Sequence, residues 1–328
     1  MRNYRAILLL FFMSIFSFTF FVGCSEDENV NEYEVLLEYL EDANYMNTAE
    51  SPSIKSASFV QTNINTGVSQ YLIDIRSEAD YNDGHIEGAV NVAFSSLLTH
   101  MESINSDDYE YIIIICYSGQ SAAYGTCMLR LLGYDNVYSM LFGMSSWGDS
   151  FAADYWSKVI STGNQYSSDF VTTATPIGET VSPPKLDTGK KKGRDILKAR
   201  VKELLSLGFS GQATISASMA VPNHDDYYII NYWPTDHYNM GHIPGAYNYI
   251  PRTDLQSSTN LDKIPADETV VVYCYTGQNS AYVTAFLKIL GYDAKSLVYG
   301  TNSMIYDTMP GTKFSQDAIM NYPVVTTP

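Results

Sequence analysis

The sequence YIIIICYSGQSAAYGTCMLRLLGY runs from Tyr111 to Tyr134 and returns in closely similar form later in the chain. The second copy, TVVVYCYTGQNSAYVTAFLKILGY, begins at Thr269 and ends at Tyr292. The distance between Cys116 and Cys274 along the chain equals the distance between the glycines that close the two copies. A constant offset over a pattern of this length indicates an internal repeat.

Each copy is typical of a strand, a tight loop and a helix in succession. Ile112 to Ile115 and Val270 to Tyr273 are apolar runs rich in β-branched residues, which favours parallel strands covered on both faces. From Ser121 and Ser280 onward, apolar residues recur with helical spacing. Each helix is expected to end at the glycine before the final tyrosine of the copy, because a left-handed residue commonly closes a helix.

The loops CYSGQS and CYTGQN place a cysteine between the end of a strand and the start of a helix. The free N–H groups and the dipole of a helix N-terminus favour negative charge, so a thiolate or an anion carried on its sulfur is stabilised there. The sequence therefore predicts Cys116 and Cys274 as reactive cysteines. The loop residues predicted to surround their sulfur atoms are Tyr117, Ser118, Gly119, Gln120 and Ser121 in the first copy and Tyr275, Thr276, Gly277, Gln278, Asn279 and Ser280 in the second.

These motifs resemble the rhodanese (sulfurtransferase) family, in which a cysteine opens an anion-binding loop between a central strand and a helix. The resemblance extends to Tyr71–Phe94 and Tyr228–Pro251, which match the family's Asp-x-Arg and Gly-His-Ile-x-Gly-Ala segments, and to LFGMSSW at Leu141–Trp147. It covers most of the chain after the N-terminal segment. It implies an α/β fold of two tandem rhodanese-like domains, each with a mainly parallel central sheet flanked by helices.

The resemblance also implies an activity. A cysteine thiolate would take sulfane sulfur from thiosulfate, a polysulfide or a persulfide and pass it to a nucleophilic acceptor, which is covalent catalysis in two steps. The expected partners are a small sulfur-containing anion or a protein persulfide, with no cofactor. The alternative is a catalytically idle rhodanese-like module that binds or senses, since a fold does not determine a function. A phosphatase or arsenate reductase would need a longer loop that ends in arginine, which neither copy has.

Gln120 and Gln278 occupy positions where the family often has a cation that helps to bind anionic donors. Neither loop contains Arg or Lys. An oxyanion such as thiosulfate would then depend on N–H dipoles alone, which predicts weak use of thiosulfate and an improvement on Gln278→Arg.

Four further residues lie near the predicted site. Asp74 and Arg76 form the Asp-x-Arg segment, and we interpret them as a structural pair, although Asp74 could also act as an acid. Their counterparts are the uncharged Asn231 and Trp233. His85 and His242 belong to the Gly-His-Ile turns, where a packing role competes with that of a base for cysteine.

The N-terminus is typical of an export signal. Arg2 and Arg5 precede an apolar run that ends at Phe-Val-Gly-Cys, which resembles a bacterial lipoprotein signal with cleavage before Cys24 and lipid attached to its sulfur. A plain membrane anchor is the alternative. We therefore expect an exported protein, held by its N-terminal lipid on the periplasmic side or the cell surface of the bacterial envelope.

The remaining sequence predicts the domain organisation. Residues 24–55 form an acidic tether and a leading helix, 56–176 the first rhodanese-like domain, 177–194 an exposed linker and 195–328 the second domain. The closing segments FVTTATP and YPVVTTP are alike, which supports the boundaries. The net charge of −17 argues against a nucleic-acid partner, whose phosphates require basic patches.

The chain has four cysteines. Cys127 lies on a predicted apolar helix face and has Ala285 as its counterpart, so we expect it in the core. A disulfide between Cys116 and Cys274 stays open, because sequence alone does not place two sulfur atoms within bonding distance. With only five histidines and no Cys-x-x-Cys pair, no metal site is expected.

Overall fold

The structure is a computed structural model that describes residues 30–48 and 51–327. The predicted signal segment and the predicted lipid-bearing Cys24 lie outside the described residues. In the described part of the chain, no helix is both long enough and apolar enough to cross a membrane.

Two parallel five-stranded sheets organise the molecule, one for each repeat, as the sequence predicts. The strands of the first sheet are β1 Ile54–Lys55, β2 Gln70–Asp74, β3 Ala89–Asn91, β4 Tyr111–Ile115 and β5 Val137–Met140. Those of the second sheet are β6 Thr214–Ile215, β7 Tyr228–Asn231, β8 Tyr247–Asn248, β9 Val270–Tyr273 and β10 Ala294–Leu297. The spatial order is β1-β5-β4-β2-β3 in the first sheet and β6-β10-β9-β7-β8 in the second, so Cys116 and Cys274 each follow the central strand.

Helices connect the strands and cover both sheets. In chain order they are α1 Glu32–Ala43, α2 Ala57–Thr66, α3 Glu78–Asp83, α4 Leu97–Ser103, α5 Gln120–Leu131, α6 Asp149–Ala152, α7 Trp156–Ile160, α8 Gly193–Leu207, α9 Ala217–Ala220, α10 Thr235–Tyr238 and α11 Gln278–Ile289. Helices α5 and α11 begin one or two residues before the predicted serines and end, as predicted, just before glycines with φ near +100°.

The central strands are buried on both faces, which explains their uninterrupted apolar sequence. Ile112 and Ile114 point into a core that both repeats share, whereas Ile113 and Ile115 point into a separate core on the far side of the first sheet. The shared core lies around α5 and α11, which pack directly against each other. The two helices that follow the cysteine loops therefore form one common layer between the sheets.

The leading helices contact the opposite repeat. Helix α1 precedes the first repeat, yet its Glu41 carboxylate accepts hydrogen bonds from the backbone N–H and the hydroxyl of Ser257 at 2.6 and 2.8 Å. Helix α8 precedes the second repeat, yet Lys198 forms an ion pair with Glu102 at 2.6 Å. Helices α1 and α8 also pack against each other, which ties the two repeats together.

The closing segments are likewise exchanged between the repeats. Val171, in the segment that closes the first repeat, exchanges two backbone hydrogen bonds of 2.9 Å with His242 of the second. Val325, near the C-terminus, pairs in the same way with His85 of the first, at 2.9 and 3.0 Å. The ranges 56–176 and 195–328 thus describe the two repeats along the sequence. In the folded structure, however, the closing segment of each range pairs with the other repeat.

Candidate functional site: two cysteine loops

The loop conformation brings each cysteine sulfur to a helix N-terminus. The strands β4 and β9 end at the cysteine, and Gly119 and Gly277 take up left-handed conformations with φ of +86° and +79°. This reversal lets the chain enter α5 and α11 with their free N–H groups directed at the sulfur. Glycine suits this position because side-chain-bearing residues rarely adopt such φ values.

Cys274 has the richer hydrogen-bonding environment. Its Sγ accepts from the backbone N–H of Gly277 at 3.2 Å and from that of Ser280 at 3.3 Å, and the Ser280 hydroxyl lies 3.6 Å away. The Ser280 hydroxyl is bonded in turn to the Ser296 hydroxyl at 2.8 Å. The two backbone N–H donors would stabilise negative charge on the sulfur or on an atom bonded to it.

Cys274 lines a cavity of about 420 Å³. Its own repeat contributes Tyr275, Thr276, Asn279 and Thr312, and the first repeat contributes Ser51–Lys55 and Leu141. The sulfur itself is almost fully buried, because the Cys274 residue is only 1% exposed. The cavity beside the sulfur therefore has walls from both repeats.

Cys116 is as buried as Cys274, with 2% of the residue exposed, but its surroundings differ. Its Sγ accepts from the Gly119 N–H at 3.1 Å, and Ala122 stands where the second repeat has Ser280, so this repeat lacks the corresponding hydroxyl. The Trp156 ring lies against the loop and donates from Nε1 to the Ser118 carbonyl oxygen at 3.1 Å. We call the four packed rings at this place the aromatic cover: they are Phe142, Trp156, Tyr299 and Phe314.

Gln120 and Gln278 take a role that differs from the predicted one. The Gln278 side chain is fully buried and reaches into the first repeat, where Oε1 accepts from Phe142 N at 2.9 Å and Nε2 donates to the Gly119 carbonyl oxygen at 3.2 Å. Gln120 makes the reverse contact, accepting from Tyr299 N at 2.8 Å. The expectation that these side chains occupy a cation position beside their own cysteine is wrong, because both point into the other repeat.

The other predicted loop residues lie where the loops turn. Thr276 is buried, with its hydroxyl accepting from Gln278 N at 3.3 Å, whereas Ser121 and Asn279 are half-buried at equivalent positions. Asn279 reaches the cavity beside Cys274.

Asp74 and Arg76 form a closed, buried ion pair. Arg76 Nη2 lies 2.7 Å from Asp74 Oδ2, Nε bonds both carboxylate oxygens, and Nη2 also donates to the Gly84 carbonyl oxygen at 2.7 Å. This geometry satisfies both charges without involving Cys116. It agrees with the interpretation of a structural pair.

The second repeat replaces this ion pair by aromatic stacking. Trp233 is fully buried, stacks on Tyr275 with ring centroids 5.0 Å apart and meets Tyr273 edge to face. Asn248 Nδ2 donates to the Trp233 carbonyl oxygen at 2.9 Å and to Asn231 Oδ1 at 3.3 Å. An uncharged network thus supports the loop that contains Cys274.

His85 and His242 take part in packing turns. Each ring stacks on the tyrosine four residues earlier, with centroids 3.7 and 3.6 Å apart, and bonds that tyrosine's carbonyl oxygen through Nδ1. The second nitrogen of His242 lies 3.1 Å from the Thr173 carbonyl oxygen. With these partners, the packing interpretation is the one that the geometry supports.

Sequence reasoning missed the residues that hold the loop tyrosines. The hydroxyl of Tyr275 bonds His237 Nδ1 at 2.5 Å, and burial together with the nearby Cys274 raises the pKa of Tyr275 to about 12. At the equivalent place, the Tyr117 hydroxyl donates to Asp80 at 2.5 Å. Alignment of the two repeats pairs Asp80 with His237, but nothing in that pairing indicates a contact with the loops.

The cysteine thiols and the possible metal ligands complete the description of the site. Cys127 is fully buried in the shared core, as predicted, and burial raises the pKa of its thiol. Cys116, Cys127 and Cys274 are free thiols. Within residues 30–48 and 51–327, His, Cys, Asp and Glu residues form no group of three suited to a metal ion.

A model of the rhodanese-like domain matches residues 56–150 and 218–304, which together make up more than half of the chain. The chain belongs to the rhodanese-like family. Among curated relatives, thiosulfate sulfurtransferase GlpE of Shewanella oneidensis is 32% identical over 79 residues, which cover 24% of this chain and 76% of that protein. Adenylyltransferase and sulfurtransferase uba4 of Ogataea parapolymorpha is 26% identical over 77 residues, but these are only 20% of its length.

Among solved structures, a rhodanese-related protein from Thermoplasma volcanium is 20% identical and covers 31% of this chain and 93% of its own, with a TM-score of 0.26. Two rhodanese-like domains and sulfurtransferase relatives together support sulfur transfer in general for this chain.

Proposed function

We propose that this rhodanese-like protein is a sulfurtransferase that carries sulfane sulfur as a persulfide on Cys274. The observation that supports this most is the combination of a sulfur at a helix N-terminus, two backbone N–H donors within 3.3 Å and a cavity of about 420 Å³ beside it. Donors aimed at a position where negative charge develops are the usual means of stabilising such an intermediate.

With thiosulfate as donor, the Cys274 thiolate attacks the outer sulfur atom. A bond forms between Cys274 Sγ and this sulfur as the bond to the sulfonate sulfur breaks, and sulfite leaves with the electron pair. A nucleophilic acceptor then attacks the outer sulfur of the persulfide and releases the Cys274 thiolate. The Gly277 and Ser280 N–H groups stabilise the thiolate that starts and ends the cycle.

The first repeat takes a mainly structural role in this proposal. Cys116 has the aromatic cover over its loop and lacks the hydroxyl that Ser280 supplies to Cys274. In this proposal the second repeat carries the chemistry, and the first repeat is catalytically idle.

Peptide mass measurement tests the proposal directly. After incubation with thiosulfate or a polysulfide, the peptide that contains Cys274 is expected to gain the mass of one sulfur atom and to lose it again on addition of cyanide. A protein in which this peptide never gains sulfur would exclude the proposed function. The predicted N-terminal lipid on Cys24 stays a separate proposal, tested by incorporation of a labelled fatty acid into the wild-type chain but not into Cys24→Ala.

A further inference from the structure

A second cavity, of about 520 Å³, adjoins the one that contains Cys274. The two share Ser51, Pro52, Tyr275 and Asn279 in their walls and therefore adjoin, and we call them together the extended cleft. Thiosulfate consists of a single sulfonate and one sulfur atom and needs only a small part of this space. Volumes of this order are typical of sites for larger organic ligands.

The far part of the extended cleft combines apolar and polar surface with one cation. Ile250, Pro251 and Val283 contribute apolar surface, and Arg252 contributes a guanidinium group. No ion pair involves Arg252 among the described residues, and the nearby Asp254 carboxylate is bonded to Ile250 N at 2.7 Å. The guanidinium group is therefore open to an anionic ligand.

The backbone holds Arg252 at this place in an uncommon conformation. Its φ is +64°, and its N–H donates to the Tyr232 hydroxyl at 3.0 Å. A left-handed arginine is uncommon, and such conformations persist where the surroundings fix them. The first repeat has Ser95 at the equivalent position, so this cation belongs to the second repeat alone. The other cation that lines the extended cleft, Lys55, is engaged over the Tyr138 ring, with Nζ 4.4 Å from the ring centroid.

We infer that the extended cleft binds an organic thiol that carries a carboxylate, and that this thiol is the sulfur acceptor of Cys274. The inference rests on the proposed function, because it names the acceptor for the same site. The carboxylate would pair with Arg252, the carbon chain would lie along Ile250, Pro251 and Val283, and the thiol would reach the persulfide. The acceptor thiolate attacks the outer sulfur, the bond from that sulfur to Cys274 breaks, and the products are an organic persulfide and the Cys274 thiolate.

A pair of acceptors that differ only in charge tests this inference. With thiosulfate as donor, sulfur transfer is measured to 6-mercaptohexanoate and to 6-mercaptohexan-1-ol, whose chains are equally long. We expect kcat/KM to favour the carboxylate by about fivefold, the upper range for an exposed ion pair. Arg252→Gln should remove the preference, Arg252→Lys should keep part of it, and Arg194→Gln, at a solvent-exposed cation elsewhere, should leave it unchanged.

A second measurement is independent of sulfur transfer. Hexanoate should slow alkylation of Cys274 by iodoacetamide more than hexanol does, and Arg252→Gln should abolish the difference. Equal rates with both thiols, while cyanide still accepts sulfur, would overturn the inference and leave the proposed function standing. If Cys274 never becomes a persulfide, the proposed function fails. The slower alkylation of Cys274 in the presence of hexanoate then decides by itself whether the carboxylate site exists.

Discussion

Gln278 of the second repeat and Gln120 of the first lie in each other's cysteine loops. Gln278 bonds Phe142 N and the Gly119 carbonyl oxygen, and Gln120 bonds Tyr299 N. A Cβ atom at Gly119 would collide with the Gln278 amide, and one at Gly277 would collide with the Gln120 amide. The two loops are thus built around each other's glutamine side chains.

Gln278→Ala should destabilise the whole chain by about 2–4 kcal/mol, because each buried partner left without a hydrogen bond costs about 1–3 kcal/mol. Denaturant unfolding measures this loss. Gln165→Ala, at an exposed position, is the control and should change stability by less than about 0.5 kcal/mol. Gln278→Arg should also destabilise, rather than improve the use of thiosulfate, and a folded variant with better thiosulfate turnover would contradict this account.

The two cysteines should differ in function. Cys274→Ser should lower sulfur transfer by a factor of about 1,000 or more, as expected for loss of a nucleophile, whereas Cys116→Ser should retain most of it. Both variants should fold, since each cysteine lies in a loop after its strand. If sulfur transfer persists in the variant that combines Cys116→Ser and Cys274→Ser, neither cysteine takes part in the mechanism.

Ser280→Ala should slow alkylation of Cys274 severalfold at neutral pH. In the structure the Cys274 thiol donates to this hydroxyl at 3.6 Å, and once the thiolate forms the hydroxyl can turn to donate to it. A hydrogen bond of ordinary net strength contributes about 1 kcal/mol, which corresponds to a severalfold change in rate. The repeats offer a reciprocal control, because Ala122→Ser introduces the same hydroxyl beside Cys116. An unchanged rate for Ser280→Ala would show that the backbone N–H groups suffice.

Trp156→Ala should open the aromatic cover and make Cys116 accessible to alkylating reagents under native conditions. The loss of a buried tryptophan should also cost about 3–5 kcal/mol. Trp147→Ala controls for this destabilisation, since Trp147 is equally buried but donates to Pro323 rather than to the Cys116 loop. If Cys116 is alkylated equally in both variants, its accessibility results from general destabilisation and not from removal of the aromatic cover.

Glu32 should make a stability contribution that depends on pH. Burial raises the pKa of this carboxyl, but bonds from the Thr188 hydroxyl and N–H and from Gly189 N, all at 2.7 Å, outweigh it and lower the pKa below its usual value of 4.5. The contribution is therefore complete above about pH 5 and is lost as pH falls through the folded-state pKa. Glu32→Gln should destabilise at pH 7 by about 1–2 kcal/mol and progressively less as the pH falls below the usual carboxyl range, whereas the exposed Glu38→Gln should do neither.

The sequence was sufficient to predict the two parallel sheets and the position of the cysteines. Ile112–Ile115 could be assigned to a strand buried on both faces because no polar residue interrupts it, and the glycine after each helix marked its end. These features depend on local patterns, which the repeat presents twice.

The contacts between the repeats could not be predicted. Val171 and Val325 lie in similar segments, and pairing within a repeat or between repeats would satisfy the same backbone hydrogen bonds. The polar side chains of Gln120 and Gln278 gave no sign of burial, since their partners are backbone groups distant in sequence. The position of Arg252 in the cavity that adjoins the Cys274 cavity likewise arises only from the folded arrangement.

The exchange of closing segments sets the order in which the molecule can be completed during synthesis. Val325, the partner of His85, is synthesised after nearly all of the second repeat, so the first repeat stays incomplete until the closing segment of the second repeat has been made. The second repeat, in contrast, already has Val171 at hand when His242 is made. The half that is synthesised first is therefore the half that is finished last, and a nascent chain released early would expose the unpaired backbone of His85.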